Sequence, residues 1–135
     1  ISCLRMKGAW KFIALTAGVW FCYWMMSATI LWSLQGITPG TVNPELTFTV
    51  DALRSLNLTD ALFLMLVGSI SSVIPVPGGF GAFHFLVSSA MAYVYGIPLQ
   101  FGMIFATLSH ESQAVNQILW GSISWISESL RTTNN

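Results

Sequence analysis

The chain sets long apolar runs against short polar breaks, and the run lengths predict its elements. Phe12 to Leu34 carries no charge and no proline over about 23 residues, which at about 1.5 Å per helical residue exceeds a hydrocarbon core of about 30 Å. A spanning helix is expected there. Gln35 to Pro44 contains Gly36, Pro39, Gly40 and Pro44, the chemistry of a loop. Leu46 to Leu58 sets Val50, Leu53 and Leu56 beside Asp51 and Arg54. That pattern predicts a short amphipathic helix on the membrane surface, with Asn57 or Thr59 capping the helix after it.

Two further apolar runs, 61–76 and 80–95, are each about 16 residues, roughly 24 Å of helix and short of the bilayer core. Either both extend into flanking polar residues as full crossings, or they form a re-entrant hairpin whose turn is shielded by protein within the membrane. The last run, 99–126, is about 28 residues and carries Ser109-His110-Glu111-Ser112-Gln113 at its middle, so a tilted or interrupted helix is expected. Four segments, about 12–34, 61–76, 80–95 and 99–126, make the expected fold an all-α polytopic membrane bundle. The whole chain, 1–135, then forms one transmembrane domain.

Composition sharpens this picture. With 54% hydrophobic and 7% charged residues, against about 25% charged in ordinary soluble domains, the chain cannot cover itself with a wettable surface. Five basic and five acidic residues cancel, which removes the bulk-charge argument for nucleic acid as a partner. Arg5, Lys7 and Lys11 precede the first run and no basic residue follows it before Arg54. The positive-inside rule therefore places the N-terminal end in the cytoplasm, and the count of crossings returns the C-terminus there; a bacterial inner membrane is the expected location. The first run is too long for a cleaved leader and reads as an anchor. A start at Ile1, leading at once into apolar sequence, reads as part of a longer protein. Its preceding helices and membrane lipids are the expected partners. Trp10 and Trp32 suit the interfaces, whereas Trp20, Tyr23 and Trp24 are expected against other helices. Cys3 and Cys22 have no evident disulfide partner and read as small buried or interfacial thiols.

Three places could carry chemistry. Pro75 and Pro77 end the first short helix, and Gly78, Gly79 and Gly81 permit a sharp reversal. The helix start that follows presents unpaired amides suited to a lipid phosphate if it is buried; otherwise the turn is a tight cytoplasmic loop. On the second short helix Gly81, His84, Ser88 and Tyr95 recur at helical spacing, as a polar path or a packing seam; for Ser88 and Ser89 the seam is preferred. On the last segment Thr107, His110, Gln113 and Gln117 share a face, with Glu111 and Asn116 at its sides. An ionisable residue within a span costs roughly 2.5 to 3.5 kcal/mol on insertion scales, so Glu111 needs a partner, a proton or a cavity.

No cofactor or metal is expected from these residues. His110-Glu111 lacks the second histidine of a His-Glu-x-x-His pair because Ala114 stands at the required position. His84 and His110 would supply two ligands if their helices met, with no cysteine or carboxylate nearby except Glu111. No nucleophile elbow, P-loop or Cys-x-x-Cys is present, which makes an enzyme the minority reading.

The words Ile74-Pro75-Val76-Pro77-Gly78-Gly79-Phe80-Gly81, Tyr95-Gly96-Ile97, the polar stretch from Phe105 to Gln113 and the Trp-rich segment from Val19 to Trp24 resemble a known family. It is the transmembrane region of lysylphosphatidylglycerol synthases and their stand-alone flippase-like relatives, and the resemblance covers most of the chain. It implies a lipid-handling membrane domain that translocates or binds a phospholipid, an aminoacylated lipid or a lipid-linked headgroup. The path candidates are Pro77, Gly78, Gly79, Gly81, His84, His110, Glu111 and Gln113. The synthases' soluble transferase domain has no counterpart here. Many family members carry Glu seven residues after the motif's second proline and Arg in the last helix, where this chain has His84 and His110. If that pair meets across helices, the two histidines are expected to face one another. The alternatives are a membrane-embedded lipid-modifying transferase using His110 or Glu111 as general base, and a structural subunit whose polar residues only hold helices together.

Overall fold

The structure, a computed structural model, describes residues 9–36, 44–79 and 81–133, and every element among them is helical. The five helices are α1 (Ala9–Gln35), α2 (Pro44–Ser55), α3 (Leu58–Ile70), α4 (Ala82–Tyr95) and α5 (Leu99–Thr133). Short 3₁₀ turns at Ser71–Val73 and Pro77–Gly79 lie between α3 and α4. Arg5, Lys7, Cys3 and the loop from 37 to 43 fall outside the described residues, as does Phe80 within the Pro-Gly-Gly motif.

α1 runs through the apolar stretch as expected and is the one described helix that is by itself long and apolar enough to cross a membrane. α5 has ample length, 35 residues, but its serines, glutamines, His110 and Glu111 dilute its apolar character. It is also unbroken, so of the tilted and interrupted forms expected for this segment the interrupted one is excluded. At 13 and 14 residues, α3 and α4 reach only about 20 Å each.

α3 stops earlier than the apolar run suggests, at Ile70 rather than near Val76. Serines cause the early stop. Ser69 Oγ donates to Leu66 O at 2.6 Å and Ser72 Oγ to Ser69 O at 2.7 Å, a local bonding pattern that competes with the i to i−4 ladder and tightens the last turn. Its start is well specified. Asn57 Oδ1 accepts from the Thr59 and Asp60 amides, and Asp60 Oδ2 accepts from the Asn57 amide at 2.8 Å, a reciprocal capping box.

α2 forms where an amphipathic helix is predicted, with Pro44 at its first position, where a missing amide is harmless. Its apolar face does not turn to a membrane surface. Val50 and Leu53, with Leu56 just beyond, are buried in the protein, and Gln35 at the end of α1 donates to the Leu53 and Leu56 carbonyls, each at 2.8 Å.

The remaining helices form antiparallel neighbours, as the contacts at their ends show. Gly68, late in α3, meets Phe83 at the start of α4, while Tyr95 at the end of α4 donates to Asp60 Oδ1 at 2.9 Å near the start of α3. Ser88 of α4 meets Gly102 of α5. Tyr23 and Ser27 of α1 pair with Gln117 and Ser109 of α5. Leu31, Leu53, Leu64, Val87, Met91, Ile97 and Phe105 fill the shared core. Gly96, with φ of 67°, ends α4 in the left-handed conformation a side chain resists, and this lets the Ile97 amide return to Met91 O. The Tyr95 hydroxyl also fixes the α3 cap by holding Asp60. Tyr95→Phe is therefore expected to lower stability by about 1 kcal/mol in detergent-solubilised protein, read by tryptophan fluorescence during thermal unfolding.

Large apolar side chains line the outer surface of this bundle. Trp10, Phe12 and Leu15 on α1 and Ile118, Trp120 and Trp125 on α5 are all well exposed. Cys22 is exposed on the same surface rather than buried. Trp24, by contrast, packs inward as expected, its indole Nε1 donating to Leu58 O at 2.9 Å.

Candidate functional site

Where α4, α5 and the Pro-Gly-Gly turn meet, the structure gathers four of the predicted residues. His84 lies in the first turn of α4 and is 8% exposed. His110 lies about a third of the way along α5. Their ring centroids are 5.4 Å apart at an interplanar angle of 57°, so the two histidines do face one another across the helix pair. Phe83 adjoins both, 5.0 Å from the His110 ring and 6.1 Å from the His84 ring.

Helix geometry explains how they arrive there. Phe83, His84, Val87, Ser88 and Met91 recur at steps of one, three and four, and all are buried against neighbours. α5 offers Gly102, Phe105, Ala106 and Ser109 as its buried stripe, with His110 beside it. Gly102 sets the distance between the helices. A Cβ there would lie 2.8 Å from Ser88 Cα and 3.0 Å from Ser88 O, so only glycine permits this approach. Ser88, 1% exposed, is thus part of the packing seam.

The turn folds back onto this pair. Gly79, with φ of 68°, and Gly81, with φ of 84°, take left-handed values open to glycine. A Cβ on Gly79 would lie 3.4 Å from Ser71 Oγ and 3.9 Å from His110 Nε2. Residues 72–77, including Pro75 and Pro77, are exposed in the chain. Gly79 therefore sits beside His110, Pro77 stands exposed, and Gly81 serves as the N-terminal boundary of α4.

Glu111 is adjacent to His110 in sequence, and neighbouring residues on a helix diverge by about 100°. Its carboxylate nonetheless bends back, with Oε1 3.6 Å from His110 Nδ1. His84, His110 and Glu111 each offer a ligand-type atom, and the three atoms lie within 4.8 Å of one another. The partner that Glu111 needs is thus a histidine of its own helix.

Two concavities flank α5 at this level. A cavity of about 240 Å³, bordered by Trp20, Tyr23, Met65, Ser71, His110 and Gln113, opens on the histidine side. A groove of about 570 Å³, bordered by Met26, Thr107, Glu111, Ser112 and Asn116, lies on the other. Thr107 therefore borders the groove with Glu111, apart from His110 and Gln113, with which it is expected to share a face. Gln113 Nε2 reaches Ser109 Oγ at 3.5 Å, Ser109 Oγ lies 3.4 Å from Ser27 Oγ, and Gln117 Nε2 donates to Tyr23 Oη at 2.9 Å. Ser109 and Ser27 are not among the residues the sequence offers as path candidates. Ser109 sits among polar neighbours but occupies the buried helical stripe with Gly102 and Phe105, a periodic signal that identifies it.

No family model, curated protein or solved structure matches the chain.

Proposed function

We propose that the chain is part of a polytopic inner-membrane protein that binds or translocates a phospholipid or lipid-linked headgroup, in the manner of the flippase-like family it resembles. The observation that carries this reading is the His84–His110 pair. Two imidazoles meet at a glycine-built turn, beside a cavity whose border mixes Trp20 and Met65 with Ser71, His110 and Gln113. Polar and ionisable groups in a membrane bundle border protein or water-filled paths, and a headgroup needs such a path beside an apolar wall for its tails.

The antiparallel order of α1, α3, α4 and α5 supports the topology. With the N-terminal end cytoplasmic, α1 leads outward, α3 and α4 form a short re-entrant hairpin, and α5 returns to the cytoplasm. The exposed aromatic and aliphatic side chains of α1 and α5 then face lipid or further helices of the bundle.

Reconstitution into vesicles with fluorescently labelled anionic and cationic phospholipids is the test. Headgroup movement or saturable lipid binding is expected, and the absence of both would defeat the reading. The proximity of His110 and Glu111 favours one alternative, a transferase with Glu111 as general base. Glu111→Gln separates the two: loss of a lipid product with binding intact supports the transferase, and equal loss of binding supports the transporter.

A further inference from the structure

We infer that His84, His110 and Glu111 form a divalent transition-metal site, best suited to Zn²⁺, that ties α4 to α5. The donor set is two imidazoles and one carboxylate, the combination that zinc accepts in sites with three protein ligands and an open fourth position. One ligand atom from each residue lies within 4.8 Å of the other two. Tetrahedral zinc with bonds of about 2.0 to 2.2 Å requires ligand atoms about 3.4 Å apart. The three groups must therefore draw together by an ångström or so.

The structure provides for that closure. Glu111 carries a half-exposed side chain, 47% accessible, whose torsions are free to swing toward the histidines from the groove. His84 and His110 already lie with ring centroids 5.4 Å apart, tilted by 57°, across two helices held by the Gly102–Ser88 contact. Zinc would thus bind mostly preorganised groups. Soft thiolates are absent from the cluster, and hard cations prefer oxygen ligands, so Ca²⁺ and Mg²⁺ are excluded as occupants. The bend of Glu111 toward His110, against the divergence of neighbouring helix positions, is the feature that turns a histidine pair into a three-donor cluster.

The site does not depend on lipid transport, and its test uses purified protein alone. The full chain, carrying a non-histidine affinity tag and stripped of metal by chelator, is placed in phospholipid nanodiscs and titrated with Zn²⁺. Saturable binding of about one equivalent per chain is expected, with a rise in Tm. Co²⁺ in its place should give the ligand-field absorption of a nitrogen- and oxygen-ligated tetrahedral ion. Mg²⁺ and Ca²⁺ should change nothing. Glu111→Gln, at a half-exposed position that tolerates substitution, is expected to weaken Zn²⁺ binding by at least about tenfold, and His110→Gln by more. Zinc should also protect both histidines of the unaltered chain from diethyl pyrocarbonate, a readout that needs no variant. Absence of saturable Zn²⁺ binding, unchanged affinity in Glu111→Gln, or equal histidine modification with and without zinc would each overturn the site.

Discussion

Replacing Gly102 with valine is expected to lower the stability of the chain by about 3 kcal/mol, the upper end of what overpacking a tight contact costs. The effect comes from backbone. A Cβ at position 102 would fall 2.8 Å from Ser88 Cα and 3.0 Å from Ser88 O, and neither atom can rotate aside, so α4 must move away from α5. His84 lies one turn before Ser88 on the same buried face and would move with it, widening the 5.4 Å separation from His110. Gly121→Val is the control. It makes the same change in helix preference, but nothing lies within 4 Å of its Cβ. Thermal unfolding of both variants in nanodiscs, with Zn²⁺ affinity measured alongside, isolates the packing effect. Equal unfolding temperatures for the two would refute the Gly102 contact as the spacer. Gly68→Ala forms an instructive intermediate, since its Cβ would lie 2.3 Å from Phe83 Cε2. That ring can swing, so a smaller loss of stability is expected, accompanied by displacement of Phe83 from His110.

Much of this arrangement is legible in the sequence, for reasons particular residues make plain. The uncharged run from Phe12 to Leu34 gives α1 almost by length alone, and Asn57 with Asp60 three residues on is a capping pattern that specifies the start of α3. The Pro-Gly-Gly break is equally clear, because proline removes an amide and three glycines open left-handed conformations. What the pattern does not carry is competition between neighbours. The stop of α3 at Ile70 depends on Ser69 and Ser72 hydroxyls capturing backbone carbonyls, a local choice that hydropathy does not register. The inward face of α2 depends on Gln35 bonding its last carbonyls, a contact between segments separated by the 37–43 connection. Glu111 is the most telling case. Helical spacing puts it to the side of His110, and the torsions of a flexible side chain bring it back to the histidines. The histidine pair itself is what the family resemblance implies; periodicity places His84 and His110 on separate helices without saying that they meet.

Exchange of both His84 and His110 for leucine should separate a polar path from a packing seam more sharply than any single change. Leucine fills a comparable apolar volume, and replacing buried polar groups with well-packed apolar ones is often neutral or stabilising. In metal-free protein, folded yield and Tm are therefore expected to hold or rise. Function should not. A headgroup phosphate that loses hydrogen bonds to ionisable donors forfeits about 1.5 to 3 kcal/mol for each, so lipid binding or headgroup movement is expected to fall by at least about tenfold. If the histidines serve only to hold α4 against α5, the opposite pattern appears: transport survives in whatever protein folds, and the yield itself changes. The single variant Ser88→Ala marks the baseline, because Ser88 donates its Oγ to Phe85 O at 3.3 Å within its own helix and takes no part in the proposed path. Lipid movement that stays at the unaltered level in the double leucine variant, in vesicles where Ser88→Ala is also active, would remove the histidine pair from the path. It would leave the cavity beside Trp20 and Gln113 without an imidazole to receive a headgroup.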